Sequence, residues 1–509
     1  MSLTQMSARE RGWSTVAEPV ERPTNEPLNR WDEWKDRLSP VPGDRSNDRR
    51  FVAGAAVLGL VVAAGAALAA GPWDSGQRKA EHDRVVAAEH SGGAHHPGNP
   101  PGAPRPAPSA AAVLAALGET SGRTDPVAAG ALDTVLTPLL KAPGLGTVSA
   151  AAVVDTATGE QVYAHGATTP MTPASTVKIA TSVAALSALG PDHRIPTTVR
   201  VSKDSGTVTL VGGGDPTLDR SALRALATDT ARALRDGGTE KVRLTYDTSR
   251  YSGPALHPIS PNENIAPVSA LMVDEGRLDG SDHGPAPRTA DPARDAARAF
   301  AELLGDAGVP TRSDPASGRA GSGARTVATH LSKPLSALVE RALTNSDNDI
   351  AEALVRQTAL KAGEPASFAG GRRAVTNRLK GLGVPVTGAD LVDGSGLNRK
   401  DKVTAGLLTS LLALAADPDH PELRPVLTGL PVAGFSGTLG DRYSAESGAT
   451  GLVRAKTGTL TGVNALAGTA VDPRGRLLAF AFLTSGTTSP GEAEESLDAL
   501  ATALTRGAR

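Results

Sequence analysis

The chain has 509 residues, 52 basic against 54 acidic side chains, and no cysteine. Charge this close to balance gives no case for a nucleic acid partner, and none is expected. Without cysteine there are no disulfides, thiolate metal sites or thiol nucleophile; no H-E-x-x-H signature occurs either, so neither a metal nor a cofactor is expected.

Residues 1–50 carry mixed charges, several prolines and few apolar side chains, and read as a disordered tail. Phe51 to Gly71 is an uncharged run, nearly all Ala, Val, Leu and Gly, long enough to cross a bilayer. Asp48-Arg49-Arg50 before it and Pro72-Trp73-Asp74 after it are interface-like flanks. Ala67-Leu68-Ala69 resembles a cleavage site, but the segment ahead of it is too long for an ordinary signal peptide, so a retained membrane helix is expected. Residues 72–124 form a Pro/Gly/Ala-rich tether, stiffest from Pro97 to Pro108.

Folding is expected from Asp125 onward. Residues 131–140 read as a helix, and 147–154 with 161–165 as a hairpin around Asp155-Thr156-Ala157-Thr158-Gly159. Thr172 and Pro173 are start signals for a helix running through the apolar stretch 179–189 to Gly190. Strand-like 197–201, 207–211 and 241–246, then helix-like 292–304, precede two further helices at 335–343 and 350–360. Residues 452–463, 465–471 and 477–483 read as three antiparallel strands, the last two joined by a turn at Asp472-Pro473-Arg474-Gly475. The hairpin is expected to join these three in one sheet. Segments 125–194 and 326–509 then make one core, and 195–325 an inserted domain.

Three motifs sit on these elements. Ser175-Thr176-Val177-Lys178 is the sole Ser-x-x-Lys, for of twelve lysines only Lys178 has a serine three residues upstream. Residues three apart on a helix share a face, so the two side chains meet within one turn. A serine hydroxyl needs an adjacent base to attack, and an amine is a base only when neutral. A helix start at Ser175 also aims backbone N–H groups at developing negative charge. Ser346-Asp347-Asn348 falls between two helices, where Asp347 suits an N-cap and reads as structural. Ser260-Pro261-Asn262 has similar spacing, but its prolines leave no helix to follow, and it is set aside. Lys456-Thr457-Gly458-Thr459 lies at a sheet edge, where Gly458 would let a substrate backbone approach closely.

In this order the motifs resemble the S-x-x-K, S-D-N and K-T-G set of the penicillin-interacting serine acyl-transferases. Val211-Gly-Gly-Gly-Asp-Pro-Thr-Leu218, Tyr251-Ser-Gly-Pro254, Ala266-Pro-Val-Ser-Ala-Leu-Met-Val273, Asp393-Gly-Ser-Gly-Leu397, Gly437-Thr-Leu439 and Ala455-Lys-Thr-Gly-Thr-Leu460 narrow the resemblance. They are similar to segments of the DacB-type D-alanyl-D-alanine carboxypeptidase/endopeptidases, class C low-molecular-mass penicillin-binding proteins of peptidase family S13. Residues 125–509 are covered. The fold this implies is α/β, of the penicillin-binding/β-lactamase-like transpeptidase type: a five-stranded antiparallel sheet flanked by helices, with an inserted mixed α/β domain.

The resemblance also implies roles. Ser175 would be the nucleophile, Lys178 its base, and Ser346 a proton shuttle between Lys178 and the leaving amine. Asn348 would bond the substrate backbone, while Lys456 and Thr457 or Thr459 would grip its terminal carboxylate beside Gly458. Backbone N–H groups of Ser175 and near Thr459 would form an oxyanion hole, and the charge of Lys456 would help keep Lys178 neutral. The implied partners are peptidoglycan stem peptides ending in D-Ala-D-Ala and β-lactam antibiotics, with carboxypeptidase or endopeptidase action through a Ser175 acyl-enzyme. Such a substrate lies outside the cell, so a single-pass membrane protein with a cytoplasmic N-terminus and an extracellular catalytic domain is expected. Two departures stand out: only about 274–288 intervenes where many relatives carry a further small β-domain, and Asn398 stands where the family often has serine. Two alternatives stay open. A β-lactamase would use the same motifs plus a deacylating glutamate, for which Glu263 and Glu275 are at hand in no matching motif. A non-catalytic peptidoglycan sensor would have no need of the nucleophile–base pair.

Overall fold

The computed structural model describes residues 130–506 apart from residue 445. The expected tail (1–50), membrane helix (51–71) and tether (72–124) lie outside the described residues. Among the described residues no helix is long and apolar enough to cross a membrane.

The chain begins with α1 (Asp133–Leu139), β1 (Val148–Asp155), β2 (Gln161–His165) and α2 (Val177–Leu189). A second group follows: β3 (Pro196–Val201), β4 (Thr207–Val211), α3 (Arg220–Asp236), β5 (Arg243–Asp247), α4 (Pro292–Asp306), β6 (Ala316–Ser317) and β7 (Arg325–Leu331). Then come the helices α5 (Leu335–Thr344), α6 (Asn348–Lys361), α7 (Phe368–Gly381), α8 (Ala405–Ala416) and α9 (Arg424–Thr428). The chain closes with β8 (Val453–Leu460), β9 (Val463–Val471), β10 (Leu477–Ser485) and α10 (Pro490–Arg506).

The first sheet has the order β2-β1-β10-β9-β8 and is antiparallel throughout. Both faces of its central strands are buried, so β1 reads Ala-Ala-Ala-Val-Val without polar alternation, and it needs partners on both edges. β10 supplies one, pairing Ala151 with Phe482 and Val153 with Phe480, which is how the two ends of the chain come to share a core. The β9–β10 turn is held by Asp472 Oδ1, which accepts N–H bonds from Arg474 and Arg476.

The two faces of this sheet differ in size. Ala150, Ala152, Ala465, Ala467, Ala479 and Ala481 face one cluster together with Val177, Ile179 and Val183 of α2 and Leu407, Leu408 and Leu411 of α8. Methyl-sized strand residues let helices pack close to the backbone there. Phe480, Phe482 and Leu478 point to the other face, against Leu497, Leu500 and Leu504 of α10. Helix α2 is buried on every side from Val177 to Leu186, as an apolar helix between a sheet and other helices must be. Each fully buried Val, Leu or Ile there contributes about 1.5–3 kcal/mol.

The second sheet, β6-β5-β4-β3-β7, is mixed: β4–β5 and β5–β6 are parallel, while β3–β4 and β3–β7 are antiparallel. Helix α3, capped by Asp219 accepting from Ala222 N–H, makes the crossover that a parallel β4–β5 pair requires. Leu223, Leu226 and Leu234 of α3 and Phe300 and Leu304 of α4 pack with Val199, Val208 and Leu244 of the sheet. The inserted sheet does not stop at residue 325 as expected. β7 runs to Leu331 and pairs with β3, Pro196 opposite Leu331, and Ser332 N–H donates to Ile195 O at 3.0 Å. Entry and exit of the insertion therefore leave the core side by side.

Candidate active site

Ser175 sits in a single turn of 3₁₀ helix, Ala174–Thr176, that runs directly into α2. Thr176 Oγ1 closes the turn by donating to Pro173 O at 2.7 Å. Ala174 holds φ of 47°, a left-handed conformation that a residue with a Cβ adopts only when its surroundings enforce it. Two glycines leave room for the turn. A Cβ on Gly396 would lie 1.9 Å from Ala174 O, and one on Gly458 would lie 2.6 Å from Pro173 O. The nucleophile turn is thus clamped between a loop and strand β8. The sequence suggests that Gly458 makes room for a substrate; in the structure the space a Cβ there would need is taken by the carbonyl of Pro173.

Lys178 is fully buried one turn along, with Nζ 2.9 Å from Ser175 Oγ. Nζ also donates to Asn348 Oδ1 at 2.7 Å and to Ser395 O at 2.6 Å. Both of those oxygens can only accept. A neutral amine has two N–H groups and one lone pair, so with both hydrogens engaged the lone pair is left for Ser175 O–H. Burial, working against the carboxylates of Asp393, Asp347, Glu352 and Asp401, brings the Lys178 pKa down to about 8. The charge of Lys456 was expected to do this; burial is what does it, and the repulsion between the two lysines adds to burial in lowering Lys456 instead.

Ser346 and Asn348 lie where α5 gives way to α6, with Ser346 at a left-handed φ of 59°. Asp347 is the N-cap of α6, its Oδ1 accepting from Ile350 N–H at 3.0 Å. Asp347→Ala is expected to lower stability by about 1 kcal/mol through loss of that cap, read as a shift in urea midpoint. Asn348 spends both ends of its amide inside the protein: Oδ1 on Lys178, and Nδ2 donating to Asn264 O at 2.9 Å.

Strand β8 is one edge of the first sheet, its first half bridged by residues 431–433. Ala455 N–H points off that edge to Pro431 O, so by the two-residue period Thr457 and Thr459 present their backbone groups to the same side. Thr457 Oγ1 donates to Thr438 Oγ1 at 2.8 Å, and Thr438 belongs to the Gly437-Thr-Leu439 turn. Lys456 is fully buried, and its Nζ donates to Thr457 O at 2.9 Å.

Ser175, Ser346, Asn348, Thr457 and Thr459 line one cleft of about 300 Å³ with Thr438 and Leu397. Lys178, Lys456 and Gly458 are not part of its lining. Arg277 and Arg288, from the 274–288 stretch, also border it. Nothing in the sequence marked those two arginines. Their side chains are nearly buried and bound to acids: Arg277 to Glu275 at 2.8 Å, Arg288 to Asp349 at 2.9 Å. Burial, with Asp347 nearby, raises Glu275 to about 8, and its carboxyl is engaged by Arg277 and Arg341. The model of the D-Ala-D-Ala carboxypeptidase 3 (S13) family matches residues 132–281 and 278–506. The chain belongs to this S13 family.

Curated relatives agree. A carboxypeptidase of Mycobacterium tuberculosis is 38% identical over 382 residues, covering 71% of this chain and 81% of its own length. Carboxypeptidase DacB of Mycolicibacterium smegmatis is 38% identical over 390 residues, 73% of this chain and 83% of that protein. Among solved structures, penicillin binding protein 4 of Haemophilus influenzae superposes with a TM-score of 0.62 at 23% identity, over 72% of this chain and 98% of that one. The last comparison establishes the fold: an α/β penicillin-binding architecture with a five-stranded antiparallel sheet between helices.

Proposed function

We propose that this S13 protein hydrolyses the terminal D-alanyl bond of peptidoglycan stem peptides ending in D-Ala-D-Ala, through an acyl-enzyme on Ser175. The observation that carries this reading is that Lys178 Nζ spends two N–H groups on Asn348 Oδ1 and Ser395 O, which leaves its lone pair to accept from the hydroxyl of Ser175 2.9 Å away. Lys178 takes the Ser175 proton as Oγ attacks the carbonyl of the penultimate D-Ala. Ser346, at the cleft wall, returns a proton to the leaving amine of the terminal D-Ala, and water then releases the acyl group. Backbone N–H groups of Ser175 and Thr459 face the developing oxyanion. The open second half of the β8 edge takes the substrate as an added strand. Hydroxyls of Thr457 and Thr459 bind its terminal carboxylate, with Lys456 Nζ beneath them donating to Thr457 O.

A β-lactam presents the same acyl group and would acylate Ser175. Glu275 is engaged by arginines, and Glu494 reaches the cleft wall only as an acceptor from Thr459 Oγ1 at 3.5 Å. The uncharged run from Phe51 to Gly71 supports a membrane anchor, and a peptidoglycan substrate would put the catalytic domain outside the cell.

The test is incubation of the full chain with a fluorescent penicillin, followed by peptide mass mapping. A lasting adduct on Ser175 that is missing in Ser175→Ala, with release of D-alanine from a D-Ala-D-Ala peptide by the unmodified chain, is expected. Fast penicillin turnover would favour the β-lactamase alternative, and a folded chain with no adduct would leave only a binding module.

A further inference from the structure

Behind the base lies a set of buried groups that the reaction above does not use. His257, from the inserted segment, places Nε2 2.9 Å from Asp393 Oδ2, and both side chains are about 1% exposed. The N–H of Ile259 points at His257 Nδ1 at 3.4 Å, which makes Nδ1 the acceptor and leaves the proton on Nε2. His257 therefore donates to the Asp393 carboxylate. The edge of Phe368 meets its ring, with centroids 5.3 Å apart.

Asp393 in turn shapes a loop. Its Oδ1 accepts from Gly396 N–H at 2.6 Å and its Oδ2 from Asn398 N–H at 2.8 Å. Glu352 Oε1 holds the same loop by accepting from Gly394 N–H at 2.9 Å and Ser395 N–H at 3.0 Å. Three atoms of that loop bear on the catalytic pair. Ser395 O accepts from Lys178 Nζ, Gly394 O accepts from Thr181 Oγ1 of α2 at 2.9 Å, and Gly396 abuts the carbonyl of Ala174.

We infer that His257 is a positioning residue for the general base: by donating to Asp393 it fixes the 393–398 loop, and through Ser395 O it fixes Lys178 Nζ against Ser175. This inference rests on the reading of Ser175 and Lys178 as nucleophile and base. It also gives the inserted segment a part in the chemistry, because His257 is its contribution to the wall behind Lys178.

The charges around this relay decide the sign of its pH effect. Lys178 faces Asp393, Asp347, Glu352 and Asp401, each of which favours its charged form, and Lys456, which repels it. His257 faces Asp393 and Glu352, and Arg356 lies over the ring of Phe368 and beside Glu352. Burial and the neighbouring Asp393 push the Asp401 carboxyl up to about 10. His257, Glu352 and Asp393 are close enough to share a cation, but the buried guanidinium of Arg356 already supplies positive charge to Glu352.

The experiment measures Ser175 acylation by a fluorescent penicillin against pH in the full chain, with melting temperature as the control for folding. His257→Phe keeps the ring and loses the donor, and its acylation rate is expected to fall 10- to 100-fold. His257→Gln keeps an N–H donor and is expected to recover to within about threefold of the unmodified rate. Asp393→Asn removes a charge that favours Lys178 ammonium, so the pH below which acylation fails moves down while the plateau rate drops. A purely structural role would lower the melting temperature and leave the folded fraction with unchanged rate and pH profile; that result overturns the inference. If His257→Phe does not fold, Asp393→Asn decides alone, and an unmoved profile at full rate overturns it. An unmodified chain that forms no adduct defeats the Ser175 reading itself, whatever the His257 variants do.

Discussion

Lys178→Met is expected to slow acylation of Ser175 by a penicillin about a thousandfold while the protein remains folded. General-base catalysis is worth about 10²–10⁴ in rate, and no other side chain bonds Ser175 Oγ among the described contacts. Methionine fills the buried volume, but it offers no N–H to Asn348 Oδ1 and Ser395 O and no lone pair to Ser175. The pH profile separates loss of the base from general damage. In the unmodified chain acylation requires neutral Lys178, so its rate is expected to fall about tenfold per pH unit below about 8 and to level off above. That limb is absent in Lys178→Met. Stability follows the same group. An unfolded lysine titrates near 10.5 and the folded one near 8, so the unfolded chain binds more protons between those values. The contribution of Lys178 to stability therefore rises as pH climbs from about 8 to about 10.5, and is constant below. Lys178→Met loses this rise, which urea denaturation at pH 7.5 and 10 would reveal. A rate within threefold of the unmodified chain would remove Lys178 from the mechanism.

Gly396→Val is expected to be the most damaging single change near the site. Its φ of 82° costs a residue with a Cβ about 1–2 kcal/mol. The new Cβ would sit 1.9 Å from Ala174 O, an overlap that only a shift of the nucleophile turn can relieve, at about 1–3 kcal/mol more. The sum, about 2–5 kcal/mol, is a large part of the total stability of a typical domain. Gly159 is the control. It has a similar φ of 71° but nothing within 4 Å, so Gly159→Ala should cost only the backbone part. Urea midpoints give both numbers, and Gly396→Val should also lose its penicillin adduct because Ser175 moves with Ala174. Equal costs at the two positions would show that the turn is not clamped.

Much of the local structure is legible because its causes are local. Thr172 and Pro173 announce the turn that leads into α2, Ser-Asp-Asn marks the break between α5 and α6, and the apolar runs at both ends of the chain become adjacent strands. Other elements are not legible in the sequence. Helix α3 had a capping Asp219 and a regular apolar face, yet it follows a glycine-rich stretch that reads as loop. Helix α8 is apolar on nearly all sides, so its period is faint. β7 has no counterpart among the expected strands and lies beyond the expected boundary at residue 325, because nothing in a strand's own residues says which distant edge it will meet.

The sequence by itself determined which chemical groups are available: one Ser-x-x-Lys, a Ser-Asp-Asn, a Lys-Thr-Gly-Thr and no thiol. Side-chain type and short-range spacing are covalent facts, and a helix turn brings Ser175 and Lys178 together without help from the rest of the chain. Only the tertiary structure decided how Lys178 can be neutral. Its environment is made by Asn348, Ser395 and the carboxylates of Asp393 and Glu352, which lie from 170 to more than 200 positions away along the chain. Desolvation and hydrogen-bond saturation depend on what fills the space around an atom, and that is a property of the packed fold.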